Sequence, residues 1–446
     1  MRRGVVVIKA KAYCSIKSEL ESLWYGAGFF VDLKHGLIVT NAHIAGEMAV
    51  CTYEIKYGNG RTAEAKLAYL DPCYDLAILA VDPKDIPSYC AELKLSAKLP
   101  AINQKVFAMG DSNLDSFSVY SGTIFSVSNT LWLKSFPEQS IQFTAFTVGG
   151  ASGSPCATLN GDVVGILYGG KLSSGAALPS AYIVPVIESI KQGKKFCRYF
   201  PGFILCYTTV QKSAKSGTLP DDAVHEYEKE FPDADDKIIV VNKKCAAFCD
   251  ESEIEAGDIV WKIEGELIGP NLLRIDEIAL KKGGSPLIFT VYRHGKKLDI
   301  KVKLHPLTSE SKLKMLSFAG TVFFETTSEA RVNFGTRDTA VIMTDGTPGS
   351  PFMEVSSPTE GNYSGGAFQI ISINGQKIST LDEFLKTIPS LFKKSMMEVT
   401  FTRLGGDGED YNVVMEYSPK FAEATYYYLG KNCEWNIEKI ANPNQE

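Results

Sequence analysis

Between residues 3 and 190 the chain is almost entirely short apolar, β-branched or aromatic runs separated by Gly, Asn and Asp turn signals. The runs fall at 28–31, 37–40, 50–57, 76–81, 105–109, 119–127, 141–147, 163–168 and 181–186. No helical period of any length interrupts them before about residue 186. Strands this short and this numerous cannot each bury both faces alone, so the pattern predicts a sandwich or a barrel. A length of 446 residues allows about two to four domains at roughly 100–200 residues each.

The rest of the chain changes character. Lys191, Lys194, Lys195 and Arg198 mark an exit from the strand-rich region. Residues 221–236 carry eight acids against one lysine, and Pro220 followed by Asp221 and Asp222 suits a helix N-terminus. Two later segments then repeat one order of elements. The first runs through Gly257-Asp258-Ile259-Val260-Trp261-Lys262-Ile263-Glu264-Gly265. A helix with Leu272, Leu273, Ile275, Ile278 and Ala279 on one face follows, and then a strand pair turning at His294-Gly295. The second runs through Ile370-Ile371-Ser372-Ile373-Asn374-Gly375, a helix with Leu381, Phe384, Leu385 and Ile388, and strands at 397–403 and 411–416. Two copies of one small α+β module fit 198–305 and 312–418, with 419–446 left as a tail.

Composition narrows the function classes. The net charge of −6 argues against a dedicated nucleic-acid binder, because neutralising phosphates needs a Lys/Arg surplus. Ten scattered cysteines without a C-x-x-C pair point to a reducing compartment and to no metal site. Only four large apolar residues precede Lys9, against the roughly 7–15 of a secretory core. No run approaches the ~18 apolar residues of a membrane span. The expectation is an intracellular protein that needs no cofactor.

The strongest chemical signal is Gly149-Gly150-Ala151-Ser152-Gly153-Ser154-Pro155. A serine hydroxyl needs a base to become a nucleophile and N–H donors to hold the oxyanion it creates. Flanking glycines let the backbone turn and aim such donors; Gly150 and Ser152 are the natural pair. Similar Gly/Ser stretches at 346–351 and 361–366 lie in or beside the second module and read as turns. Of five histidines, His225, His294 and His305 fall in the acidic helix, a hairpin turn and a linker. His43 instead ends an apolar strand, in Thr40-Asn41-Ala42-His43. Asp75, just before the strand Leu76-Ala77-Ile78-Leu79, is an acid that burial would force to find a partner, and an imidazole is one. Asp71, before Pro72, suits a turn instead. Cys156, after Pro155, reads as core. The order His43, Asp75, Ser152 within a strand-rich domain is that of chymotrypsin-like double barrels and contradicts the Ser, Asp, His order of α/β-hydrolases.

With Gly26-Ala27-Gly28-Phe29-Phe30-Val31, these blocks resemble the signature blocks of the HtrA (DegP-type) serine proteases, most closely those of longer fungal nuclear members associated with apoptosis. The resemblance implies a mainly β fold: a chymotrypsin/trypsin-like double β-barrel over 1–190, followed by two α+β PDZ-like domains. It implies an ATP-independent serine endopeptidase acting on unfolded or exposed polypeptides in quality control or apoptosis-related proteolysis. His43, Asp75 and Ser152 would be catalytic, and Gly150 and Ser152 the oxyanion donors. The substrate pocket would be walled by Phe146, Thr147, Val148, Ile166, Leu167 and Tyr168, which are not acidic and do not suit Lys or Arg. Ala151 stands where many members carry Asn, with its N–H unchanged. The PDZ-like modules would take C-terminal or extended peptides, with Ala319, Gly320, Thr321 and Val322 as the carboxylate loop of the second and residues 202–205 a weaker candidate in the first. A homotrimer or a multiple of one, and a nuclear or cytoplasmic location, are further implications. The alternative is a catalytically inert PDZ-type scaffold or chaperone.

Overall fold

The computed structural model describes residues 1–15, 22–46, 49–111, 117–129, 139–145, 150–171, 173–232, 236–245, 247–248, 252–307, 313–327, 330–332, 335–343, 349–354, 368–404, 409–430 and 433–444. Strands β1 (Val5–Ser15), β2 (Ser22–Asp32), β3 (Leu37–Thr40), β4 (Ala49–Lys56), β5 (Thr62–Asp71) and β6 (Leu76–Val81) close into a barrel in the order β1-β2-β3-β6-β5-β4. A second barrel closes in the order β10-β11-β12-β9-β8-β7. Its strands are β7 (Lys105–Asp111), β8 (Phe117–Asn129), β9 (Ser140–Thr144), β10 (Pro155–Thr158), β11 (Val163–Lys171) and β12 (Ser174–Pro179). This is the double barrel expected from the sequence. Closure removes the unpaired edges that open sheets must protect.

Period-two alternation builds two cores at once. Phe30 and Ile38 fill the first barrel, whereas their neighbours Phe29 and Val39 point outward. There they meet Ile166, Tyr168 and Leu178 of the second barrel in a shared apolar seam. Residues 181–186, expected as a strand, are instead a 3-10 turn leading into α2 (Val184–Lys191), whose buried residues are Val186 and Ile187. The β-branched run imitates a strand, but Pro185 is acceptable in a first helical turn and costs no ladder bond there.

The second domain is a sheet ordered β14 (Phe203–Thr209), β15 (Lys237–Lys244), β16 (Ile259–Ile263), β18 (Leu287–Arg293), β19 (Lys296–Val302), with β17 (Glu266–Leu267) paired to β16. The ribbon β13 (Arg198–Phe200) with β20 (His305–Leu307) brackets it. Helices α3 (Val210–Lys215) and α4 (Asp221–Glu230) follow β14; the acidic helix α4 is anchored by buried Ala223 and Tyr227. Helix α5 (Leu272–Lys281) lays Leu272, Ile275 and Ile278 on the sheet.

The third domain repeats part of this order. It comprises β21 (Lys314–Phe318), β22 (Thr321–Glu325), β23 (Val341–Met343), β24 (Phe368–Ile373), β25 (Gln376–Lys377), α6 (Leu381–Leu391), β26 (Met396–Arg403) and β27 (Asp410–Glu416). Glu264-Gly265 and Asn374-Gly375 occupy equivalent two-residue turns, all four with positive φ. Residues 424–440 are not a loose tail: β28 (Ala424–Leu429) and β29 (Trp435–Ile440) form a hairpin that extends this sheet by pairing β28 to β21. The expected carboxylate loop is corrected too. Ala319-Gly320 is a two-residue hairpin turn, with Phe318 paired to Thr321, and β22 lies between β21 and β23. With both edges of β22 bonded, no peptide can add to it. Met315, Val322, Phe324 and Ile342 dock this domain on Cys14 and Val50 of the first barrel.

Candidate active site

Each candidate residue sits where a strand ends at the seam. His43 is in the short helix α1 (Ala42–Ala45) that follows β3; Trp24 Nε1 on β2 donates to Ile44 O at 2.9 Å and holds that turn. Asp75 closes the turn between β5 and β6 and is 2% exposed. Its two carboxylate oxygens are both engaged by one residue. Oδ1 accepts from His43 N at 2.9 Å, and Oδ2 lies 2.7 Å from His43 Nδ1. Asn41 Nδ2 donates to Asp75 O at 3.0 Å, fixing the backbone as well. Asp75 has φ 51°, a left-handed conformation that Asp tolerates better than most residues but that must still be held. The His43 side chain is 37% exposed, against 3% for Asp75. The buried carboxylate is thus covered by an imidazole whose other edge is open.

Ser152 lies in the loop that leads into β10 of the second barrel. Ser152 O accepts from Ala27 N of β2 at 2.7 Å, and Thr40 Oγ1 donates to Ala27 O at 2.8 Å. The loop is therefore bonded to the strand next to the one that ends at His43. Gly153 explains the motif's small residues: its φ is 86°, and a Cβ there would lie 1.8 Å from Ala27 O. On the other side Gly153 N donates to Leu167 O at 2.8 Å and Leu167 N to Ser154 O at 2.9 Å. Gly150 also has positive φ, 89°. Cys156 is fully buried in the second barrel, and burial pushes its thiol up to about 12, so it is no rival nucleophile.

The expected pocket is only partly addressed. Phe146, Thr147, Val148 and Gly149 lie outside the described residues, as do 346–348 and 361–366 of the two similar Gly/Ser stretches. Ile166 and Tyr168 belong to the seam, and Tyr168 donates its hydroxyl to Ser140 Oγ at 3.0 Å. The Leu167 side chain is a correction: strand alternation turns it into the second barrel's core beside Ala145 and Ala151, where no substrate can touch it. Sequence reasoning also missed the roles of Ala27, which rests on backbone atoms and leaves only a small-residue signal, and of Thr40, whose hydroxyl bonds a residue 13 positions away. Among the described residues no cluster of His, Cys, Asp and Glu could hold a metal, and no helix is long and apolar enough to cross a membrane.

Residues 26–166 match the family model described as trypsin-like peptidase domain. Beyond it, the chain is similar to the pro-apoptotic serine protease NMA111 of Pyricularia oryzae, 25% identical over 90% of this chain and 39% of that protein. The same-named protein of Chaetomium globosum is 24% identical over 99% of this chain and 43% of its own length. The chain thus spans about two fifths of the curated relatives it matches. Among solved structures, an HtrA-type protease, AlgW with decapeptide, aligns at a TM-score of 0.49 and 19% identity over 68% of this chain and 96% of that one. The matched stretch contains His43, Asp75 and Ser152.

Proposed function

We propose that this chain is a serine endopeptidase of HtrA type that cleaves unfolded or exposed polypeptide without nucleotide. The observation that carries the reading is the double engagement of Asp75 by His43, through Nδ1 and the backbone N–H, beside a loop that presents Ser152. With the proton on Nδ1 held by Asp75, Nε2 is left to accept the Ser152 proton as Oγ attacks a peptide carbonyl. His43 then returns the proton to the leaving amine, and water repeats the sequence on the acyl-enzyme. Gly150 and Ser152 N–H groups hold the oxyanion; losing one such donor costs about 10²–10³ in turnover. The names of the relatives, all serine proteases, support the same chemistry.

The second domain acts as a PDZ-like peptide receiver in this reading. Strand β14 is a sheet edge among the described residues. A small cavity of about 40 Å³ lies between it, α5 and the β13–β20 ribbon, lined by Leu205, Leu272, Ile275, Ala279, Phe200 and Leu307. An extended peptide adding to β14 would place alternate side chains there. The remaining walls at residues 146–148 carry no acid, so aliphatic side chains are preferred before the scissile bond. Digestion of a reduced, unfolded polypeptide tests the reading: Ser152→Ala or His43→Ala lowers turnover by about 10⁶, and equal digestion by wild type and Ser152→Ala rejects it.

A further inference from the structure

Arg198 opens β13, at the junction of the second barrel and the second domain, and is 1% exposed. A buried guanidinium costs several kcal/mol unless its donors are matched. Here three elements match them. Nε donates to Asp71 Oδ2 at 2.6 Å, Nη1 to Asp276 Oδ2 at 2.9 Å and Nη2 to Tyr182 O at 2.7 Å. The Tyr74 ring stacks under the guanidinium at 4.1 Å. Asp71 belongs to the first barrel, Tyr182 follows the second, and Asp276 is on α5 of the second domain. Burial raises the Asp276 carboxyl above the usual range, Arg198 pulls it back, and Asp71 pushes it up again. The cluster thus consists of two carboxylates kept together by one cation.

Asp71 has a second task. Its Oδ1 accepts from Tyr74 N at 3.2 Å, and Asp75 N donates to Pro72 O at 3.4 Å. These bonds close the turn that sets Asp75 at φ 51°. The other oxygen of Asp71, which takes Arg198, also accepts from Tyr69 OH at 3.0 Å. Helix α5 meanwhile reaches the other barrel: Leu273 N donates to Gln139 Oε1 at 3.1 Å, and Gln139 N donates to Tyr182 OH at 3.1 Å.

We propose that Arg198 is a positioning residue for Asp75: by binding Asp71 and Asp276 together, it fixes the turn that aims Asp75 at His43, and does so only while the second domain is seated on both barrels. Its consequence for turnover rests on the hydrolase reading; its consequence for the His43–Asp75 bond does not. A planar fork donating to three separate acceptors is what the site uses, so lysine is no equivalent.

The test compares full-length wild type with Arg198→Met, Arg198→Lys, Asp276→Asn and, as control, Arg274→Gln, which removes exposed ion pairs from the same helix. Two readouts are taken: the low-field proton resonance of the His43 Nδ1–H bond to Asp75, and kcat and KM on an unfolded polypeptide. The expectation is loss or broadening of the resonance and a fall in kcat between about 2- and 30-fold with KM unchanged, the range of couplings carried through such networks. Arg274→Gln leaves both unchanged. If Arg198→Met does not fold, Asp276→Asn, which keeps size and removes one leg, decides alone. Folded variants that keep the wild-type resonance and kcat while only melting earlier overturn the inference, as does a wild type without the resonance. A wild type that shows the resonance, with loss of it in the variants, but takes no substrate sinks the hydrolase reading and leaves the positioning role standing.

Discussion

The second and third domains share a strand, X-Gly turn, short strand, helix and hairpin, yet they use the space beside the helix in opposite ways. In the second domain, the strand across from α5 is the sheet edge β14, and a cavity remains between them. In the third, β22 is an interior strand and the space beside α6 is filled with aromatic rings. Phe323 meets Phe384 at 4.9 Å and Phe352 at 5.1 Å between ring centroids, and Phe318 stands over Phe384 and Phe392. The β28–β29 hairpin then covers β21. One plan therefore yields an unpaired edge strand in one case and an interior strand in the other; edge exposure and side-chain volume decide which, not the order of elements.

The largest effect that would sharpen this contrast is in the filled domain. Phe384→Ala should cost about 3–5 kcal/mol, because tight aromatic packing leaves a cavity that cannot collapse. Leu205→Ala, beside an existing cavity, should cost about 2 kcal/mol, the low end for Leu→Ala. Denaturant unfolding monitored domain by domain checks both, and equal losses would break the comparison. Next is the hairpin. Thr425→Pro removes ladder bonds from a strand paired on both sides and should cost about 3 kcal/mol; a neutral result would restore 419–446 to the status of a tail. Third, Ala279→Trp fills the small cavity beside α5. Fluorescence anisotropy with short hydrophobic C-terminal peptides should show at least about tenfold weaker binding, with an overpacking cost of about 1–3 kcal/mol, whereas Phe384→Leu should leave peptide binding unchanged. The smallest effect lies in the turns. Ala319, with φ 48°, should gain about 0.5 kcal/mol on substitution by glycine. Glu264, with φ 52°, should not. Its carboxylate binds Ile288 N and Lys282, which also holds it below the usual carboxylate range, and glycine would forfeit both.

Much of the double-barrel region was legible because its information is local. Thr40-Asn41-Ala42-His43, Asp75 before a buried strand, and Gly150–Pro155 are short blocks whose chemistry demands those residue types in contiguous order. The Glu264-Gly265 and Asn374-Gly375 turns were legible for the same reason: positive φ selects them. What escaped notice depends on distant partners. Arg198 looked like part of a basic exit from the first domain; nothing near it in sequence announces Asp71 or Asp276. Strand β5 reads Thr62-Ala63-Glu64-Ala65-Lys66-Leu67, an alternation with few β-branched residues, and only the barrel around it makes it a strand. The 181–186 run was misread because periodicity over six residues cannot separate a buried helix start from a strand. Whether a sheet edge is open or already paired is likewise invisible until the hairpin at 424–440 is placed.

The most direct test of the account is covalent. A fluorophosphonate probe reacts with a serine only where a base and oxyanion donors have activated it. Peptide mapping after labelling of the full chain should find the adduct on Ser152, with none in Ser152→Ala and at least about a thousandfold slower labelling in His43→Ala. Absence of an adduct on folded wild-type protein, or an adduct that persists in Ser152→Ala, would contradict the convergence of the three residues at the seam.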